Sequence, residues 1–139
     1  MKRLFFWSIL NILGIFLFLA ALREGWVAWV FSFDVTGISY IICGVFIYGV
    51  AASGWNSWRQ TKWAIENCVT LGFLGTIIGL LLALTNVDQS QLGSFDQLPA
   101  VFAQLVKYLG VAFSTSIVGT VAGTWLYAIQ NFGMDRHAR

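Results

Sequence analysis

The chain has 139 residues, of which 58% are hydrophobic and only 10% charged, with one proline and a net charge of +2. Soluble domains carry about 25% charged residues, so this composition excludes one and indicates a polytopic membrane protein, with residues 1–139 as a single membrane domain. The few, scattered basic residues exclude a nucleic-acid surface, and no nucleic-acid partner is expected.

Lys2 and Arg3 precede an apolar run over 4–22. A secretory signal begins in the same way, but this run exceeds the usual apolar core and no convincing small-residue cleavage site precedes Arg23, so an uncleaved first span is expected. Asn11, in its middle, is read as bonding a neighbouring helix. The connection over 23–34 holds Trp26 and Trp29, rings that settle at a membrane surface. A second span is expected over 35–53, with Gly37, Gly44 and Gly49 allowing close packing. Cys43 is placed toward its outer half and Cys68 near the inner end of the next span, too far apart to bridge. Neither has metal-ligand spacing. Residues 54–63 read as a short inner loop, aromatic and basic, with Arg59 and Lys62.

The third span, over about 67–86, contains an uncharged stretch long enough to cross a hydrocarbon core of about 30 Å. Gly72, Thr76, Gly79 and Ala83 recur at steps of four, three and four, which stacks them in one stripe where another backbone can approach. Gly75 joins the same packing set. An acidic loop over 87–98 follows, with Asp88 and Asp96. Asp96 suits a helix N-cap and Pro99 a first turn, so the last helix is expected to start near residue 97, roughly 50 Å long and crossing the membrane over 108–131. Its small stripe, Ala112, Ser116, Gly119 and Gly123, repeats the steps of the third span, and since a monomer would leave both stripes toward lipid, they are expected to form an interface between subunits.

Four spans follow, all α-helical. With both termini and the 54–63 loop in the cytoplasm, Lys2, Arg3, Arg59, Lys62, Arg136 and Arg139 lie inside, six of the eight basic residues, leaving Arg23 and Lys107 as exceptions.

No apolar span contains a carboxylate, and the single histidine, His137, lies in the basic tail. No nucleophile–base pair or metal cluster is legible, so catalysis, a cofactor and a metal are not expected. Glu66 reads as a surface charge favoured by a helix N-terminus, with a proton-exit role as the sharper alternative. Lys107, about 180° round the helix from Ser116, reads as a snorkelling cation rather than a pathway residue. Thr76 and Ser116 have an ordinary reading as hydroxyls that bond a neighbouring helix or their own backbone.

The stretch Leu71-Gly-Phe-Leu-Gly-Thr-Ile-Ile-Gly79, followed across an outer loop by Gly110-Val-Ala-Phe-Ser-Thr-Ser-Ile-Val-Gly119, resembles the paired signature helices of the MotA/TolQ/ExbB proton-channel family. The resemblance covers about a third of the chain. It sets Thr76 on the family's Gly-Thr-x-x-Gly threonine and Ser116 on the second channel threonine, beside Thr115, and Asn131 on the asparagine that ends the last membrane helix. It implies a proton-channel subunit of the bacterial inner membrane. Such subunits form a homopentamer around single-span partners of the MotB/TolR/ExbD kind, whose membrane aspartate carries the ion. Val111 and Trp125 stand where ExbB-like relatives have a glutamate and a proline. The inner loop of about ten residues replaces the large cytoplasmic domain of MotA-like subunits, so a flagellar rotor is not an expected target. A small membrane scaffold that conducts nothing is the rival expectation.

Overall fold

The computed structural model describes residues 2–34, 36–86 and 98–133. The acidic loop with Asp88 and the Asp96 cap, and the tail with Arg136, His137 and Arg139, lie outside the described residues. Within them the chain is all-helical: α1 (Lys2–Arg23), α2 (Trp26–Ser32), α3 (Ile38–Gly54), α4 (Trp58–Thr85) and α5 (Leu98–Ala128), the last continuing into a π-helical turn, Ile129–Gly133. Three of these helices are long and apolar enough to cross a membrane: α1, α4 and α5 with its π turn. The fourth expected span is α3, an apolar helix of 17 residues. Broad apolar surface, from Phe16 on α1 to Leu84 on α4 and Phe113 on α5, stays exposed, as suits a protein that sits in lipid.

Local chemistry sets the joints. Gly25 and Gly37 take positive φ, 76° and 70°, which side-chain-bearing residues rarely adopt. The expected connection over 23–34 is largely the short helix α2, with Trp26 and Trp29 exposed. Asp34 then caps α3: its carboxylate accepts from the Thr36 backbone N–H at 3.1 Å, the Thr36 hydroxyl at 2.7 Å and the Ser39 N–H at 2.7 Å. Partial burial raises its pKa, but the hydrogen bonds from Thr36 and Ser39 outweigh that and hold the carboxyl below its ordinary value.

Between α3 and α4 the loop is shorter than expected. The Asn56 N–H reaches Ser53 O and the Ser57 N–H reaches Ala52 O, at 3.1 and 3.0 Å, a Schellman closure with Asn56 at φ 59°. The chain re-enters helix at Trp58, nine residues before the span boundary expected at 67. The start of α4 is held by tertiary contacts: Thr61 and Ala64 are fully buried, and the Trp58 carbonyl accepts the Gln130 amide at 3.2 Å. α5 is helical from Leu98, the first described residue after the loop, to Ala128, and its π turn runs on to Gly133.

α3, α4 and α5 make the core, centred on Ile38, Ile42, Ala64, Cys68, Ala122 and Leu126. Of the three glycines expected to pack in the second span, only Gly49 does so: a Cβ there would lie 2.8 Å from Ala64 Cβ and from Leu126 Cδ1. Gly37 serves the backbone, and Gly44 has nothing within 4 Å of a Cβ position. The placing of the cysteines is also corrected. Cys68 Sγ lies 4.0 Å from the carbonyl of Ile42, the residue before Cys43, so the two thiols share one depth. The early start of α4 puts Cys68 as far from the α3–α4 turn as Cys43 is. Both remain free.

α1 is peripheral. Trp7 Nε1 donates to Ser53 Oγ at 2.9 Å, and Gly14 lies against the Trp125 ring. Asn11, expected to reach a neighbouring helix, donates instead to Trp7 O within α1, at 2.8 Å.

Candidate functional site

The candidate site is the antiparallel α4–α5 hairpin, and its geometry follows from the glycines. A Cβ on Gly79 would lie 2.6 Å from Ala112 Cα, and one on Gly119 would lie 2.5 Å from Cys68 O and 2.8 Å from Gly72 Cα. A Cβ on Gly75 would run into the Thr115 side chain, and one on Gly123 would lie 2.7 Å from Val69 Cγ2. In hydrocarbon a helix gains little by leaving lipid, so van der Waals contact and hydrogen bonds hold such pairs together. Here the absent side chains bring backbone onto backbone.

Gly72, Gly75, Gly79 and Ala83 of α4 and Ala112, Gly119 and Gly123 of α5 are all buried, as packing residues should be. The filler of those faces differs from the expectation. A monomer was expected to leave both small stripes toward lipid, which made them an interface between subunits. In the structure each stripe is covered by the other within one chain. Composition marks a face for close approach but does not say whose backbone approaches.

The hydroxyls sort by helical phase. Thr115 is fully buried against Gly75 and donates to Ala112 O at 3.1 Å, so it is sealed in the seam rather than open to a pathway. Thr76 lies at the edge of the seam, half-buried; its hydroxyl shares one proton between Gly72 O at 3.1 Å and, across the interface, Ala112 O at 3.2 Å. Ser116 is also half-buried, and its Cα lies against Gly72. Its hydroxyl has no hydrogen-bond partner among the described residues. Thr120 and Thr124 are exposed and continue from Ser116 at steps of four, a line that sequence reasoning passed over because it tracked only the small residues.

The remaining candidates lie away from the seam. Glu66 pairs with Lys62 at 3.8 Å, both side chains 64% exposed, which is the surface reading. Lys107 is exposed on α5. Asn131 sits in the π turn and donates to Tyr127 O at 3.1 Å. Beside it is a residue the sequence reading missed: Gln130, 4% exposed, whose bond to Trp58 O ties the end of α5 to the start of α4. No sequence periodicity distinguished it. Cys68 was legible in retrospect, since it extends the α4 stripe one step of four below Gly72. No group of His, Cys, Asp or Glu that could hold a metal occurs among the described residues.

Comparisons with protein-family models, with curated proteins and with solved structures return no match.

Proposed function

We propose that the chain is an ion-channel subunit, proton-conducting, of a motor-like complex of the bacterial inner membrane. In this reading it has four membrane spans with both termini cytoplasmic. It assembles as a ring around a single-span partner whose membrane aspartate carries the ion. The ring number, five, and the partner come from the resemblance of 71–79 and 110–119 to MotA/TolQ/ExbB helices. The observation that supports the reading is the position of Thr76 and Ser116. Both sit at the rim of the α4–α5 seam, half-buried rather than sealed, where a carboxylate on a neighbouring helix can approach them. A carboxylate in hydrocarbon is costly when charged, and hydroxyls lower that cost. Proton transfer changes the partner's charge, and the change biases its docking against the ring.

A second reading, a non-conducting scaffold, draws support from the bond between Thr76 and Ala112 O, which gives the hydroxyl a structural use. The double variant Thr76→Val with Ser116→Ala separates the two. As a scaffold it keeps its function, since one interhelical hydrogen bond is worth about 0.6 kcal/mol. As a channel it assembles with its partner and loses proton flux into vesicles carrying the co-purified complex, at equal complex content. Undiminished flux rejects a role for these hydroxyls, and no flux from the wild-type complex under an imposed gradient favours the scaffold.

A further inference from the structure

On the exposed face of α3 and α4 that carries Tyr48 and Trp63, two open grooves of about 290 and 310 Å³ share these two residues. One continues along Gly44 and Val45, the other to Arg59 and Gln60. The rings of Tyr48 and Trp63 meet edge to face, 5.9 Å between centroids. From the level of Arg59 to that of Gly44 the track runs roughly 12 Å along the helices, at ~1.5 Å per residue.

Three features indicate what the track holds. Gly44 lies inside α3, where glycine costs about 1 kcal/mol relative to alanine. No neighbour among the described residues comes within 4 Å of its Cβ position, so their packing does not require it. At the other end, Arg59 occupies the first turn of α4, the positive end of a 28-residue helix, where a cation is disfavoured unless an anion lies close. That turn contains no acidic residue, and Ser57 makes no side-chain cap to it. Among the described residues the ion pair is Lys62 with Glu66, and none of their carboxylates pairs with Arg59. Between the two ends stand a tyrosine and a tryptophan, the residues that mark the headgroup level.

The geometry points to a binding site for an anionic phospholipid: its phosphate on Arg59, Gln60 and the start of α4, its glycerol region on Tyr48 and Trp63, and one acyl chain along the channel that Gly44 leaves open. The site requires a bilayer but not ion conduction, so a failed flux measurement leaves it standing.

The test is native mass spectrometry of the full chain, delipidated in detergent and titrated with equal amounts of phosphatidylglycerol and phosphatidylcholine. The wild type retains phosphatidylglycerol over phosphatidylcholine by about fivefold, the worth of one interfacial cation. Arg59→Gln brings the ratio toward unity, because the net negative charge that separates the two lipids loses its partner while the phosphate they share does not distinguish them. Gly44→Phe, whose Cβ has no described neighbour within 4 Å, fills the groove and lowers retention of both lipids. Equal retention by the wild type, or an unchanged ratio in Arg59→Gln, overturns the proposal. So does a Gly44→Phe variant that changes oligomeric mass at constant lipid retention, which would assign the groove to a second copy of the chain.

Discussion

α1 and α4 are both long, apolar helices, yet none of the apolar core of α1 is buried inside the chain, whereas 28% of that of α4 is. The difference lies in side-chain size. α1 presents Phe, Leu and Ile around its circumference, with Phe16, Phe18 and Leu19 all more than half exposed. α4 carries Gly72, Gly75, Gly79 and Ala83 down one line, and α5 answers with Ala112, Gly119 and Gly123. Hydropathy sends a helix to the membrane, but small residues decide which helices then stay together.

Gly119→Leu should break the comparison most severely. Its side chain would enter the Cys68 carbonyl and the Gly72 backbone, neither of which can turn aside as a side-chain tip can. Overpacking costs about 1–3 kcal/mol, and backbone contacts set this variant at the upper end. Thermal unfolding in detergent, followed by near-UV circular dichroism, should show the loss. Because the two stripes cover one another within the chain, the hairpin itself should weaken, and not only an assembly of subunits. A leucine in place of Gly14 on α1 should cost less, since the nearest atoms to its Cβ belong to the Trp125 side chain rather than to backbone.

Asp34 tests the seam between the peripheral α1–α2 segment and the packed α3–α5 unit. Asp34→Ala removes the cap of α3 at a cost of about 1 kcal/mol, read as faster amide exchange at Thr36 and Ser39. The sign of its pH dependence follows from a folded pKa below the ordinary 3.8. The contribution is fully present above pH 3.8 and is lost as pH falls through the lower folded value. The difference between wild type and variant should therefore be full at neutral pH and close in acid.

The smallest effect is expected at Trp7. Trp7→Phe keeps the ring but removes the bond to Ser53 Oγ, worth about 0.5–1.5 kcal/mol. Exchange protection should fall in α1 and hardly at all in α4 and α5. Equal loss across all three would make α1 part of the core and remove the contrast between the regions.

Much of this architecture was legible in residue types. The apolar runs and the stripes at steps of four and three follow from helical period and side-chain size, which local sequence carries. The start of α4 did not, because Trp58 to Trp63 is aromatic and charged. What holds that segment helical is the burial of Thr61 and Ala64 and the amide of Gln130, more than seventy residues away in the chain. The cysteines were misplaced for the same reason, since depth in a hairpin is counted from where its turn falls.

The sequence by itself determined that this chain forms long apolar helices, and that two of them carry faces built for backbone contact. It also singled out Thr76 and Ser116 beside those faces. Only the tertiary structure decided that the faces close on each other, that Thr115 is sealed while Thr76 and Ser116 stay at the rim, and that Gly44 opens a groove instead of packing. The physical reason is that a glycine records only permission for close approach; which atoms use that permission depends on the turn and on the antiparallel register of helices far apart in the chain.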